Sequence, residues 1–284
     1  MRRREAPEDG SVRGEDGGVG RALFGDRFTS AASAVVVSAT AFALLVPAAL
    51  VVVLSFSNDR FFDFPPHGWG LGQYRRLLED PRWGSALWLS VKISLPVALL
   101  AALVVVPTLF TIHRSRLPLR HALQVGGIAG IILPISAYAV AMYGLYAQVG
   151  LLGTYWGLVL ANLTLAVPVM LLVTSAAMSR IPPELELAAM VAGASRVQAW
   201  FAITLRLLAP AIMAGGVLAF VTSLDEAVLV NFLGGPGLET LPKAILDSVR
   251  YGLEPVITAI ATLLMVGTSL AMALAARLAR RVGP

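Results

Sequence analysis

Apolar residues in this chain are gathered into long runs parted by short charged segments. The runs Ala31–Phe56, Leu87–Ile112, Ala122–Ala147, Thr154–Met178, Leu207–Leu233 and Pro255–Ala276 each exceed the roughly 20 residues a helix needs to cross the hydrocarbon core. In lipid every backbone N–H and C=O must be bonded within its own segment, so the runs predict helices rather than strands. The third and fourth runs are parted by no charge at all: no Asp, Glu, Lys, Arg or His occurs between Ala122 and Ser179. Gln148-Val149-Gly150 and Gly153-Thr154 predict the turn there. The pattern is that of an all-α integral membrane protein with six transmembrane helices.

Residues 1–30 mix Arg2, Arg3, Arg4, Glu5, Glu8, Asp9, Glu15 and Asp16 with several glycines, a composition that predicts a disordered tail ahead of a membrane domain over 31–284. The first apolar run is too long for the core of a secretory signal and reads as an uncleaved first helix. Composition agrees: 57% of residues are hydrophobic and 14% charged, where a soluble domain carries about a quarter charged. The net charge of +5 resides mostly in arginines flanking apolar runs, which speaks for a membrane surface rather than a nucleic acid. With the N-terminus in the cytoplasm, fifteen Lys and Arg fall on the inner side, among them Arg114, Arg116, Arg120, Arg180, Arg196 and Arg206, against seven outside. Both termini are therefore predicted to be cytoplasmic.

The chain has no cysteine, which removes disulfides, thiolate chemistry and iron–sulfur ligation. His67, His113 and His121 lie near loops or span ends and form no paired ligand spacing, so no metal site is predicted. Pro47, Pro96, Pro107, Pro134 and Pro168 fall within spans, either as kinks or as the ordinary proline content of membrane helices. Gly126-Gly127 with Gly130, and Gly215-Gly216, predict close helix packing. Tyr138, Tyr143, Tyr146 and Trp156 predict an aromatic belt at one membrane interface.

The segment between the fourth and fifth spans, Ser179 to Arg206, is long and apolar for a connection. Pro183 suits a helix start, and Glu184 and Glu186 sit in the first turn, where the helix dipole favours acids. Gly193 predicts a break, and Ser195 with Gln198 has the spacing of a capping box that opens a second helix. A helix–glycine–helix outside the membrane whose apolar residues include Leu185, Ala188, Ala189 and Val191 needs a partner: either a docked subunit or the bilayer surface.

Leu187-Ala188-Ala189, Gly193-Ala194-Ser195, Phe201, Ile203, Leu205 and Pro210 resemble the EAA loop of ABC-importer permeases. With Ser223-Leu224-Asp225-Glu226, Gly235-Pro236 and Thr240-Leu241-Pro242, the chain is similar to the second permease of spermidine/putrescine-type systems, from Leu87 to the sixth span. The resemblance implies a coupling-helix loop between spans four and five, in which Glu184, Glu186, Leu187, Ala188, Ala189, Gly193, Ala194 and Ser195 meet an ATPase. It implies as partners a second permease, a homodimeric ATP-binding subunit that holds ATP and Mg, and an extracytoplasmic substrate-binding protein, in a bacterial inner membrane. Two departures stand out. Leu187 occupies the place of the pattern's glutamate, with Glu186 one position earlier and about 100° around the helix. Arg206 replaces its second proline, predicting no kink there.

The chain has no G-x-x-x-x-G-K-[ST] loop, and its only lysines are Lys92 and Lys243, so no P-loop binds ATP on it and no cofactor is expected. No constellation suggests an enzyme. Asp225 and Glu226 are the only acids inside a predicted span, placing them either on a pathway for a cationic solute such as a polyamine, or near the outer surface paired with Lys243 or Arg250. A self-sufficient ion-coupled transporter is the alternative; it would require repeated halves and midplane charges that the chain lacks. A membrane scaffold would leave the helix–glycine–helix loop without a purpose.

Overall fold

The computed structural model describes residues 16–114, 118, 120–252 and 254–282, with side chains from Ser33 to Leu274 and at Arg277 within those ranges. Residues 1–15 of the predicted tail, and Arg116, lie outside the described residues. Residues 1–51 and 52–284 form two units. The first is dominated by α1 (Asp16–Ser55), which starts well before the predicted Ala31. Val19, Ala22, Leu23 and Phe24 carry helical sequence back into the expected tail, and extending a formed helix is far less costly than nucleating one. Its exposed residues include Val35, Val36, Val37, Phe42, Leu44 and Leu45, apolar all the way round as a lipid-facing helix requires.

The second unit opens with a hydrogen-bonded loop and α2 (Gly72–Glu79). The Asn58 amide donates to the Trp69 carbonyl and accepts from Gly72 N–H, while Arg76 donates to the Asn58 and Asp59 carbonyls. The His67 N–H bonded to Asp59 holds that carboxyl below the usual carboxylate range. Beyond them lie α3 (Pro81–Arg114), α4 (Arg120–Ala129), α5 (Ile135–Val149), α6 (Tyr155–Met178), α7 (Glu184–Val191), α8 (Arg196–Ala199), a π-helical turn (Trp200–Thr204), α9 (Leu205–Leu224), α10 (Val228–Leu233), α11 (Leu241–Tyr251) and α12 (Val256–Val282).

Among the described residues five helices, not six, are long and apolar enough to span: Ser33–Ser55, Pro81–Arg114, Tyr155–Met178, Arg196–Leu224 and Val256–Leu274. The predicted third span, Ala122–Ala147, is divided into α4 and α5. Ile131 N–H and Ile132 N–H turn back to the Ile128 and Ala129 carbonyls, and Pro134 then caps α5 with ψ 122°. Proline forces its predecessor out of helical geometry, and the break escapes a hydropathy reading because Ile131, Ile132 and Leu133 are themselves apolar. The predicted fifth span, Leu207–Leu233, is also redrawn: it enters early through α8 and the π turn, ends at Leu224, and leaves α10 separate. Thr154, read from the sequence as part of the turn and the first residue of the fourth run, is the N-cap of α6 and accepts from Gly157 N–H.

The core lies where α3, α6 and α9 meet, with α12 against α9 and α10 against α5. Val97, Ala101, Val105 and Leu109, four apart on α3, form one wholly buried ridge in a cluster with Met170 and Leu171 of α6 and Leu208 and Ala219 of α9. In lipid, where apolar surface gains little by leaving the solvent, such a core depends on van der Waals fit and small side chains. One residue of each predicted glycine pair serves it: Gly215 faces Met170 and Thr174, and Gly127 faces Leu171, while Gly126 and Gly216 face open space. Tyr146 belongs to this core rather than to an interfacial belt; Tyr143 and Trp156 are exposed. A glycine seam joins two loops: Gly153 N–H donates to the Leu233 carbonyl at 2.9 Å, and a Cβ on Gly235 would lie 2.9 Å from the Gly153 Cα.

Candidate functional site

The segment between α6 and α9 folds as a short helix, a glycine turn and a second helix. Pro183, φ −65°, precedes α7, and Glu184 and Glu186 occupy its first turn. At its end Gly193 adopts φ +98°, which side-chain-bearing residues rarely do. This lets Gly193 N–H reach the Met190 carbonyl and Ala194 N–H the Ala189 carbonyl, both at 3.0 Å, the paired bonds of a Schellman ending. Ser195 and Gln198 then form the reciprocal capping box: the Ser195 hydroxyl accepts from Gln198 N–H and the Gln198 side-chain carbonyl accepts from Ser195 N–H.

The face so displayed is apolar. Leu185, Leu187, Met190 and Val191 are exposed, Val191 to 90%, and Ala188, Gly193 and Ser195 lie open beside them. Glu184 is exposed at the start of the helix, and Ala189 and Ala194 are half-buried.

Glu186 departs from the sequence expectation that it faces a partner, since it is only 4% exposed and turned inward. Its carboxylate accepts from Arg114 Nε at 2.8 Å and from the Thr204 hydroxyl. The Arg114 guanidinium also donates to the Ile181 carbonyl at 3.0 Å, and the Arg196 guanidinium reaches the Arg114 carbonyl while lying over the Phe110 ring. Phe110 packs edge-on to Trp200. Neither Arg114 nor Thr204 is marked as a site residue by the sequence. Arg114 reads there as one more basic residue at a span end, and it lies 72 positions from Glu186, beyond any local spacing rule.

Arg206 does not leave the entry to α9 regular. Leu205 N–H bonds to the Trp200 carbonyl five residues back, and the wide turn this closes carries Thr204.

Asp225 and Glu226 do not lie inside a continuous helix. Asp225 caps the end of α9 and is exposed. With Val221, Leu224, Leu246 and Met265 it lines a cavity of about 440 Å³ reaching α11 and α12, and it is the only ionisable group among the described lining residues. Glu226 is buried and accepts from Leu229 N–H at 2.8 Å, bonding a free donor at the start of α10. Lys243 pairs instead with Asp247 at 2.6 Å, and Arg82 with Glu239 at 2.7 Å. The two adjacent acids therefore differ in use: one faces a cavity and the other serves the backbone.

Residues 81–284 match the family described as binding-protein-dependent transport system inner membrane component. The chain is 33% identical over 233 residues to the putrescine transport system permease protein PotI of Escherichia coli K12, covering 78% of this chain and 81% of that one. It is 31% identical to the spermidine/putrescine transport system permease protein PotC of Haemophilus influenzae, covering 84% and 92%. Among solved structures, a bacterial ABC transporter involved in import of the acidic polysaccharide alginate superposes with a TM-score of 0.69 at 15% identity, over 89% of this chain and 97% of that one, a likeness of fold.

Proposed function

Since the chain belongs to the binding-protein-dependent transport system inner membrane components and is a permease subunit of an ABC importer, we propose that it forms half of a heteromeric pore for a small cationic solute of the polyamine type. ATP is hydrolysed on a separate homodimeric subunit, and solute is delivered by an extracytoplasmic binding protein. The second permease completes the pathway. The named solutes of the relatives PotI and PotC, putrescine and spermidine, motivate the choice of a cationic substrate.

The observation that carries this reading is the exposed apolar face of α7, held out by the Gly193 turn and the capped helix after it. Leu187, Ala188, Ala189, Gly193, Ala194 and Ser195, with Glu184 at the rim, form the docking element for the ATPase on the cytoplasmic side. With Leu187 in place of the pattern's glutamate, the contact is apolar rather than ionic. Closure of two ATPase subunits on ATP then pushes α7 and tips the attached bundle, a rigid-body gating step. Asp225 offers its carboxylate to the cation from an otherwise apolar wall.

Leu187→Asp with Val191→Asp tests the docking face while leaving Glu186 and its bonds intact. In a mild-detergent purification of the tagged chain co-expressed with its partner subunits, the double variant is expected to lose the ATPase and keep the second permease. Unchanged recovery of the ATPase would overturn the assignment.

A further inference from the structure

We propose that Glu186, Arg114 and Thr204 form a closed joint that makes the coupling helix one rigid body with the ends of two spans, so that Glu186 acts as a positioning residue for transport. The inference rests on the importer reading above and assigns the loop's displaced carboxylate a role inside the chain.

Three separate elements meet at one carboxylate. Glu186 belongs to α7, Arg114 is the last residue of α3, and Thr204 closes the π turn that leads into α9. Both charged side chains are nearly excluded from solvent, at 10% exposure for Arg114 and 6% for Glu186. The guanidinium is satisfied further by the Ile181 carbonyl, on the stretch of chain entering α7. An ion pair so enclosed is costly to open, because either charge alone would be left without water or partner. An exposed pair at the same place would exchange with solvent and transmit little. The surrounding bonds complete the ring: Arg196, at the start of α8, reaches the carbonyl of the same Arg114.

The consequence is mechanical. Without the joint, α7 would hang from the bundle by the Ile181-Pro182-Pro183 and Gly193 turns, and a push on its exposed face could swing it against those hinges. With the joint, displacement of α7 must carry the end of α3 and the entry of α9, the two helices that pack with α6 in the core. The π turn ends at Thr204, whose hydroxyl reaches the Glu186 carboxylate.

The absence of cysteine makes the joint testable by replacement. Arg114→Cys with Glu186→Cys is introduced into the full chain, assembled with its second permease, ATPase and binding protein in liposomes. Labelled putrescine imported is measured per ATP hydrolysed, before and after bridging the thiols with a short, reducible bis-methanethiosulfonate. The unbridged variant is expected to hydrolyse ATP while importing about tenfold less per ATP, within the range by which coupled sites influence one another. Bridging is expected to restore the ratio, and reduction to abolish it again. Thr204→Val, which removes the one hydroxyl bond to the carboxylate and leaves the ion pair in place, is expected to lower the ratio about threefold. An unchanged ratio in either variant, or a bridged protein that stays uncoupled, overturns the joint. If the unaltered complex imports nothing with ATP, the importer reading fails instead, and the two failures are told apart.

Discussion

At its entry the span Arg196–Leu224 is tied down by Glu186, a carboxylate on another helix that is answered by the guanidinium of Arg114 and the hydroxyl of Thr204. At its exit the neighbouring carboxylate is Glu226, answered by the backbone N–H of Leu229, three residues on. Both acids are buried in a chain that carries few, yet one is paired with a full charge from a distant helix and the other is bonded to a backbone N–H at a helix start. The first arrangement spans three elements and the second only a turn. Burial of a carboxylate in a membrane protein is thus not by itself a sign of solute binding; what matters is what it is bonded to.

The difference can be broken in order of size. Glu186→Ala leaves the Arg114 charge buried and unpaired, a loss expected at about 3–5 kcal/mol in thermal unfolding of the purified protein, whereas replacing Glu186 and Arg114 together by Met should recover most of that stability. A double variant as unstable as the single one would mean that the site depends on hydrogen bonding beyond the pair. Glu226→Ala removes only a local acceptor, and a cost of about 1 kcal/mol, as for loss of a helix cap, is expected. A loss as large as that of Glu186→Ala would erase the distinction between the two ends. Asp225→Asn, at the exposed acid beside Glu226, is expected to change stability by less than about 0.5 kcal/mol, the range of ordinary surface changes. It should nevertheless reduce import of a cationic probe; equal import with both side chains would remove Asp225 from the pathway.

Much of the entry region was legible in the sequence. Ser195 and Gln198 at capping-box spacing and Gly193 ahead of them are local signals, realised through bonds only a few residues long, and the two glutamates after Pro183 take the first turn of α7. The inward turn of Glu186 was not legible, because its partner Arg114 is brought near only by the packing of α3 against α6 and α9. The division of the third run was hidden for the opposite reason: Ile131, Ile132 and Leu133 are as apolar in a turn as in a helix, so hydropathy carries no mark of it, although Pro134 does. The π turn has no spacing signature of its own, since its extra residue is accommodated by tertiary contacts around Trp200 and Thr204.

The glycine seam has a consequence for how the gene can vary. Every base change that replaces a glycine codon by that of another amino acid adds at least a Cβ, and at Gly235 that atom would meet the backbone of Gly153, which itself sits at φ +71°. Neither position can drift first and wait for the other to compensate, because no side chain is smaller than the one already there. Across a population of variants the two sites, 82 codons apart, would stand out as a matched pair of silent columns.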